Sequence, residues 1–379
     1  MSDTVTKKPV NGSAATTAPL LSIENLRVIF TGMAKPVTAV NGVDLALARG
    51  EVVALLGESG SGKSVTLRSI LRLHAANKTR IEGRIHVDGV DVLALSPSEL
   101  ARFRGKTVSM VFQEPMLAMD PVYSVGQQIT EAIRRHEPIS QAEARQRALA
   151  LFEQVRIPSA ERRLDAYPHE MSGGMRQRAM IALALSCKPR VLLADKPTTA
   201  LDATVQVQIL LLLRDLQRQL GLAMIFVTHD ISVAVEVADR VAVMYAGRIV
   251  EMGAVRDVVR RPRHPYTIGL LSTRAHGGKL AGARLPAIPG SPPDLANLPP
   301  GCPYAPRCAH AADVCPRQNA LDVQDTQRCA LSRWLGVYGA GRRVELRQDT
   351  QQQRAAVRHQ AGRAGAHAHP DGEIVSRVG

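Results

Sequence analysis

The residues Gly57-Glu-Ser-Gly-Ser-Gly-Lys63-Ser64 carry the spacing G-x-x-x-x-G-K-[ST] without a gap. The chemistry of that pattern is phosphate binding. Glycines let successive backbone N–H groups wrap phosphate oxygens, and a helix that starts at the lysine adds positive potential. Lys63 is placed to reach the β- and γ-phosphates, and the Ser64 hydroxyl to ligate Mg²⁺. The candidate nucleotide contacts are therefore Gly57, Ser59, Gly60, Ser61, Gly62, Lys63, Ser64 and Val65. Further on, Val191-Leu-Leu-Ala-Asp195 is an apolar run that ends in a carboxylate. An aspartate at the carboxyl end of a buried strand can hold Mg²⁺ through water. Alone, such an aspartate more often caps the next turn. Paired with the phosphate loop it completes a site for ATP and Mg²⁺.

These groups need rigid elements to hold them. The run from Gly50 to Gly57 is short, apolar and bounded by glycine, as expected of a buried strand, and a helix is predicted from Lys63 to about Leu73. A strand is predicted over Leu21–Val28, and several helical segments between Gln127 and Val155, one opened by the capping box Ser140-x-x-Glu143. A helix is predicted from about Gly174 to Leu185 and another after Thr204, followed by a strand over Ala223–Thr228. Strands alternating with helices imply an α/β fold with a largely parallel sheet. Past Arg261 the chain turns rich in proline and glycine, and from about Gly339 in Gln, Arg, Ala and His.

Met171-Ser-Gly-Gly-Met-Arg-Gln-Arg178 resembles the signature sequence of ABC ATPases, which opens a helix and offers N–H groups to a second phosphate. The order of phosphate loop, Gln113, signature, Asp195, Asp202 and His229 is that family's order, over roughly residues 20–270. The resemblance implies roles. Gln113 takes the position that touches Mg²⁺ and the attacking water and links hydrolysis to the membrane subunits. Ser172, Gly173, Gly174 and Met175 would face the nucleotide of a partner. Asp202 lies in Ala-Leu-Asp, which matches the D-loop, His229 matches the histidine that contacts the γ-phosphate, and Phe30 the aromatic that stacks on adenine. Met116, Leu117 and Met119 suit a membrane-subunit contact or a local core.

The C-terminal part narrows the resemblance. Arg263-His-Pro-Tyr-Thr267, Ile288-Pro-Gly-Ser-Pro-Pro293 and Leu298 to Cys308 are similar to the C-terminal region of dipeptide/oligopeptide and nickel importer ATPases. Four of the five cysteines, Cys302, Cys308, Cys315 and Cys329, lie there with gaps of five, six and thirteen residues. Short C-x₂₋₄-C pairs typical of zinc are absent. The wider spacing suits an iron–sulfur centre, and the resemblance implies a 4Fe-4S cluster; structural Zn²⁺ is the alternative and disulfides a third reading. Cys187, alone in an apolar helix, is expected to be a core residue.

Composition limits the remaining possibilities. The net charge is +14 and the pI near 10.1, part of it in the C-terminal arginines from Arg342 to Arg377. Charge of that sign fits nucleic acid, an anionic membrane surface or a solvated arginine-rich surface equally. Aromatics are only 3% with one Trp, so base stacking is not expected, and no nucleic-acid partner. Proteins of this family that act on nucleic acid commonly carry two cassettes, and one is present. No apolar stretch nears the ~20 residues of a membrane span, and Met1–Pro19 lacks a signal-peptide core.

The expected organisation is a disordered tail over 1–19, an ABC-type P-loop ATPase domain over 20–265 with a helical subdomain at about 114–172, a loop-rich four-cysteine module over 266–335, and a disordered tail over 336–379. The resemblance implies a peripheral protein on the cytoplasmic side of the inner membrane. Its implied partners are two transmembrane permease subunits, a second ATPase subunit in a heterodimer, and an extracytoplasmic solute-binding protein. One residue departs from the pattern. The family places Glu after the Asp195 position to polarise the attacking water, and here stands Lys196. A protonated lysine has no lone pair to accept a proton, and general-base help is worth about 10²–10⁴-fold. The site is therefore expected to bind ATP and hydrolyse it poorly, while its signature serves a partner's site. A non-hydrolysing regulatory subunit, or an importer of nickel or another small solute, is the alternative.

Overall fold

Short apolar runs can be covered on both faces, and three five-residue strands form the centre of this protein: Val52–Leu56 and Ala223–Val227, wholly apolar, and Val191–Asp195, apolar up to its terminal carboxylate, every residue buried. The computed structural model describes residues 18–199, 201–273 and 288–311. The strands are β1 (Leu21–Phe30), β2 (Val37–Leu47), β3 (Val52–Leu56), β4 (Thr79–Val87), β5 (Val90–Asp91), β6 (Val108–Val111), β7 (Val191–Asp195), β8 (Ala223–Val227), β9 (Arg240–Tyr245) and β10 (Arg248–Ala254). The helices are α1 (Lys63–Ile70), α2 (Pro97–Lys106), α3 (Pro115–Ala118), α4 (Val125–His136), α5 (Gln141–Gln154), α6 (Ala160–Leu164), α7 (Gly173–Leu185), α8 (Ala203–Leu220), α9 (Ile231–Val237), α10 (Val255–Arg260) and α11 (Pro265–Ser272).

A six-stranded sheet has the order β10-β9-β3-β8-β7-β6, with β9, β3, β8, β7 and β6 parallel and β10 antiparallel at the edge. A separate four-stranded antiparallel sheet has the order β2-β1-β4-β5. Alternate side chains of the central strands feed different cores. Leu192 and Ala194 of β7 pack with α4, α5, α7 and α8, and Val191 and Leu193 pack toward the antiparallel sheet and α1. Ala54 and Leu56 of β3 face a third core with Tyr245, Tyr266 and Tyr304.

The parallel strands match the expected α/β class, and the strands and helices predicted around the phosphate loop lie within a few residues of their expected bounds. The predicted capping box at Ser140–Glu143 is present, and two more open α2 at Ser96 and α4 at Ser124. Between β6 and α7 the chain forms helices and a single 3₁₀ turn. The antiparallel sheet was not foreseen beyond β1. β2 buries the adjacent Ala39 and Val40 and β4 buries only Ile85 and Val87, so neither keeps a regular alternation, while the predicted β1 holds its pairings across a bulge at Asn25, which has φ 47°. Among the described residues no helix is long and apolar enough to cross a membrane. Cys187 is buried, as expected, with its Sγ 3.5 Å from the Ala132 carbonyl oxygen.

Candidate functional site

The candidate residues of the phosphate site converge because they follow the carboxyl ends of parallel strands, where α/β sheets open a crevice. Gly57 to Gly62 follow β3, Gln113 follows β6, Asp195 ends β7 and His229 follows β8. The loop must fold tightly. Gly57 has φ 144°, and a Cβ on it would stand 2.2 Å from the Met244 carbonyl oxygen, so only glycine fits. Gly62 caps α1 without a side chain, which leaves first-turn N–H groups of α1 facing the loop.

Lys63 is 4% exposed, and its Nζ donates to the Gly57 carbonyl (2.9 Å), the Glu58 carbonyl (2.6 Å) and Ser61 Oγ (2.9 Å). The ammonium thereby closes the loop into a ring. Burial, then the nearby Lys196 cation, push its pKa from 10.5 down to about 8, while Asp195 and Glu58 pull it up. Ser64 Oγ donates to Asp195 Oδ1 at 2.8 Å, although the two are 131 positions apart. An adjacent hydroxyl and carboxylate are a suitable pair of oxygens for a hard cation such as Mg²⁺. The first-turn N–H groups of α1 and an ammonium beside them suit the phosphates it accompanies. The donor set therefore fits ATP and Mg²⁺.

Lys196 is half-buried in the left-handed region with φ 47°, its N–H donating to the Val227 carbonyl at 3.0 Å. Its backbone is thus tied to β8 beside His229, so the side chain belongs to this crevice. Gln113 is half-buried and His229 exposed, and Asp230 caps α9 by accepting from the Ser232 N–H.

The signature residues form a second cluster. Ser172 caps α7 by accepting from the Met175 N–H at 3.3 Å, and Asp202 caps α8 by accepting from the Val205 N–H at 2.9 Å. The two helix starts press together: a Cβ on Gly174 would meet Val205 Cγ1 at 2.8 Å, and one on Gly173 would touch Leu201 at 3.6 Å. Both helix starts are at the surface, with Ser172 and Asp202 exposed. Phe30 packs edge-on to His74, ring centroids 5.5 Å apart, and His74 Nε2 lies 3.2 Å from the Val65 carbonyl oxygen on α1. Met119 is buried in the core and Met116 exposed.

Of the four clustered cysteines, Cys302 is buried and Cys308 half-buried, whereas Cys315 and Cys329 lie outside the described residues. No group of three or more metal-ligating side chains occurs among the described residues, so the expected four-thiolate set is not assembled from them. The Cys302–Cys308 turn instead carries residues that the sequence did not single out. Tyr304 packs edge-on in a cage with Tyr245 and Tyr266, centroids 5.2 and 5.4 Å away. Arg307 pairs with Glu58 of the phosphate loop, Nη1 to Oε2 at 2.7 Å and Nη2 to Oε1 at 3.0 Å. Glu58 occupies a free position of the loop motif and Arg307 lies in an irregular segment, so neither has a periodicity or spacing that flags it.

Comparison with known proteins agrees with this arrangement. The family described as ABC transporter matches residues 40–199, and that described as oligopeptide/dipeptide transporter, C-terminal region, matches residues 250–315. The chain is 52% identical over 308 residues to a Brucella abortus (strain 2308) protein named as a peptide import ATP-binding protein, covering 78% of this chain and 91% of that one. It is 47% identical over 317 residues to the Escherichia coli (strain K12) protein named as the D,D-dipeptide transport ATP-binding protein DdpD, covering 83% of this chain and 96% of that one. The dimeric structure of a bacterial ABC transporter cassette superposes with TM-score 0.56 at 29% identity, over 62% of this chain and 99% of that one. A post-hydrolysis dimer bound to ADP and Pi superposes equally, with TM-score 0.56.

Proposed function

The chain belongs to the ABC transporter ATP-binding proteins of the oligopeptide/dipeptide importer family, and on that premise we propose that it binds ATP to energise import of peptides while its own site turns over slowly. The single observation that carries the nucleotide reading is the hydrogen bond from Ser64 to Asp195 beside the ring closed by Lys63. Mg²⁺, when bound with ATP, supplies charge neutralisation of the phosphates. Ser64 and Asp195 would hold it, and Lys63 would exchange its loop carbonyls for phosphate oxygens. Gln113 and His229 follow β6 and β8, the strands on either side of β7 and its Asp195, where they can orient the γ-phosphate and the attacking water.

Lys196 occupies the place of the proton-accepting carboxylate. It brings a second cation to the site, which is the second cause of the depressed Lys63 pKa. Two cations favour holding a polyanion, and neither accepts a proton from water. The exposed signature turn of Ser172 to Met175 would complete a partner ATPase subunit's site in a heterodimer. That assembly would also include two membrane permeases and an extracytoplasmic solute-binding protein, on the cytoplasmic face of the membrane. The domain bounds 20–265 and 266–335 belong to the same proposal, as does a 4Fe-4S cluster or Zn²⁺ on the four cysteines. Iron and zinc content of anaerobically purified protein tests that last element. A Lys196→Glu variant in the assembled complex tests the slow turnover. With ATP binding intact, ATP turnover at this site should rise by about 10²–10⁴-fold. Unchanged turnover would remove Lys196 as the cause, and failure of the unsubstituted chain to bind ATP would remove the nucleotide reading.

A further inference from the structure

Glu58 is held from three directions. Its backbone carbonyl accepts from Lys63 Nζ (2.6 Å), and its N–H donates to the Tyr266 hydroxyl (2.7 Å). Its carboxylate takes the Arg307 guanidinium in a bidentate pair across 249 positions of sequence. Arg307 is itself fixed: its side chain is 5% exposed, Nε donates to the Pro289 carbonyl (2.8 Å), and Nη2 donates to the Gly290 carbonyl (3.3 Å). Nη1 also reaches the Tyr245 hydroxyl (3.3 Å), and the guanidinium carbon lies 5.9 Å from the centre of that ring. Cys302 and Cys308 bracket this turn, with Tyr304 buried between them.

We propose that the Cys302–Cys308 turn is a brace for the phosphate-binding loop, with Arg307 a positioning residue that sets nucleotide affinity through Glu58. This rests on the ATP-binding reading above. Two physical effects act together. The bidentate pair and the Tyr266 hydroxyl fix the second residue of a loop whose N–H groups must converge on phosphate, and preorganisation lowers the cost of binding. The guanidinium also neutralises a carboxylate that would otherwise repel a triphosphate from inside its own cradle. Removing Arg307 leaves Glu58 charged and unpaired beside that cradle. Removing the carboxylate as well takes away the repulsion and leaves only the loss of fixation.

The test uses the full chain and titration calorimetry with Mg²⁺-ATP. Arg307→Ala should weaken binding on the order of tenfold. Glu58→Gln/Arg307→Ala should recover part of that loss, and Arg307→Lys, which keeps the charge without the fork, should fall between. Tyr266→Phe, which removes the acceptor of the Glu58 N–H but leaves the ring cage, should weaken binding several-fold, and it serves if Arg307→Ala does not fold. A lowered melting midpoint in Arg307→Ala and Tyr266→Phe with unchanged ATP affinity means the turn is only structural and overturns the inference. A wild-type chain that binds no ATP would instead overturn the nucleotide reading itself.

Discussion

Raising the pH from 7.5 to 9.5 should loosen ATP at the phosphate loop, because Lys63 loses its proton in the free protein at about 8 rather than 10.5. Burial is the first cause and the neighbouring Lys196 cation the second. With phosphates bound, their charge favours the ammonium, so the bound lysine stays protonated over this range. Above the free pKa, binding must then take up a proton. By linkage the dissociation constant scales with the factor by which the free lysine is deprotonated: about twofold at pH 8, about tenfold at pH 9 and about thirtyfold at pH 9.5, relative to neutral pH. The γ-phosphate, with a second pKa near ~6, is already ionised and adds no slope. Calorimetric titration in two buffers of different ionisation enthalpy measures both the affinity and the proton taken up. Replacing Lys196 by Met should move the break upward without reaching 10.5, since burial remains. A dissociation constant that stays flat to pH 9.5, with no proton uptake, refutes the reasoning.

Gly57→Ala should abolish ATP binding and lower stability by at least about 2 kcal/mol in chemical denaturation, because the added methyl would stand 2.2 Å from the Met244 carbonyl oxygen at φ 144°. Acid should destabilise the protein through His264, which is 4% exposed and whose pKa burial lowers from 6.5 to about 4. The unfolded state then binds the proton more readily, so its contribution is intact above pH 6.5 and is lost as pH falls toward 4, about 2 kcal/mol of it by pH 5. Protonation also removes the Nδ1 lone pair that accepts the Tyr266 N–H at the start of α11. His264→Asn keeps a capping acceptor without titrating and should flatten stability between pH 5 and 7; an unchanged slope assigns the acid loss elsewhere.

Features that depend on neighbouring residues were legible in the sequence. The phosphate loop, the apolar runs of β3, β7 and β8, the carboxylate at Asp195 and the capping box at Ser140 each complete their signal within a few positions. So did the departure at Lys196, since the residues around it kept the family pattern. Features that depend on contact between distant segments were not. The antiparallel sheet beyond β1 was hidden because β2 buries the adjacent Ala39 and Val40 and β4 buries only Ile85 and Val87, so neither keeps the alternation that marks a strand. The Ser64–Asp195 bond needs β8 to lie between β3 and β7, an order set by crossover connections and not by either motif. The depressed pKa of Lys63 comes first from burial, and burial is a property of the packed fold. Glu58 and Arg307 have ordinary identities in ordinary segments. Only the folding of the C-terminal turn against β9 and α11 brings that guanidinium to the loop, where charge and fork geometry acquire a purpose.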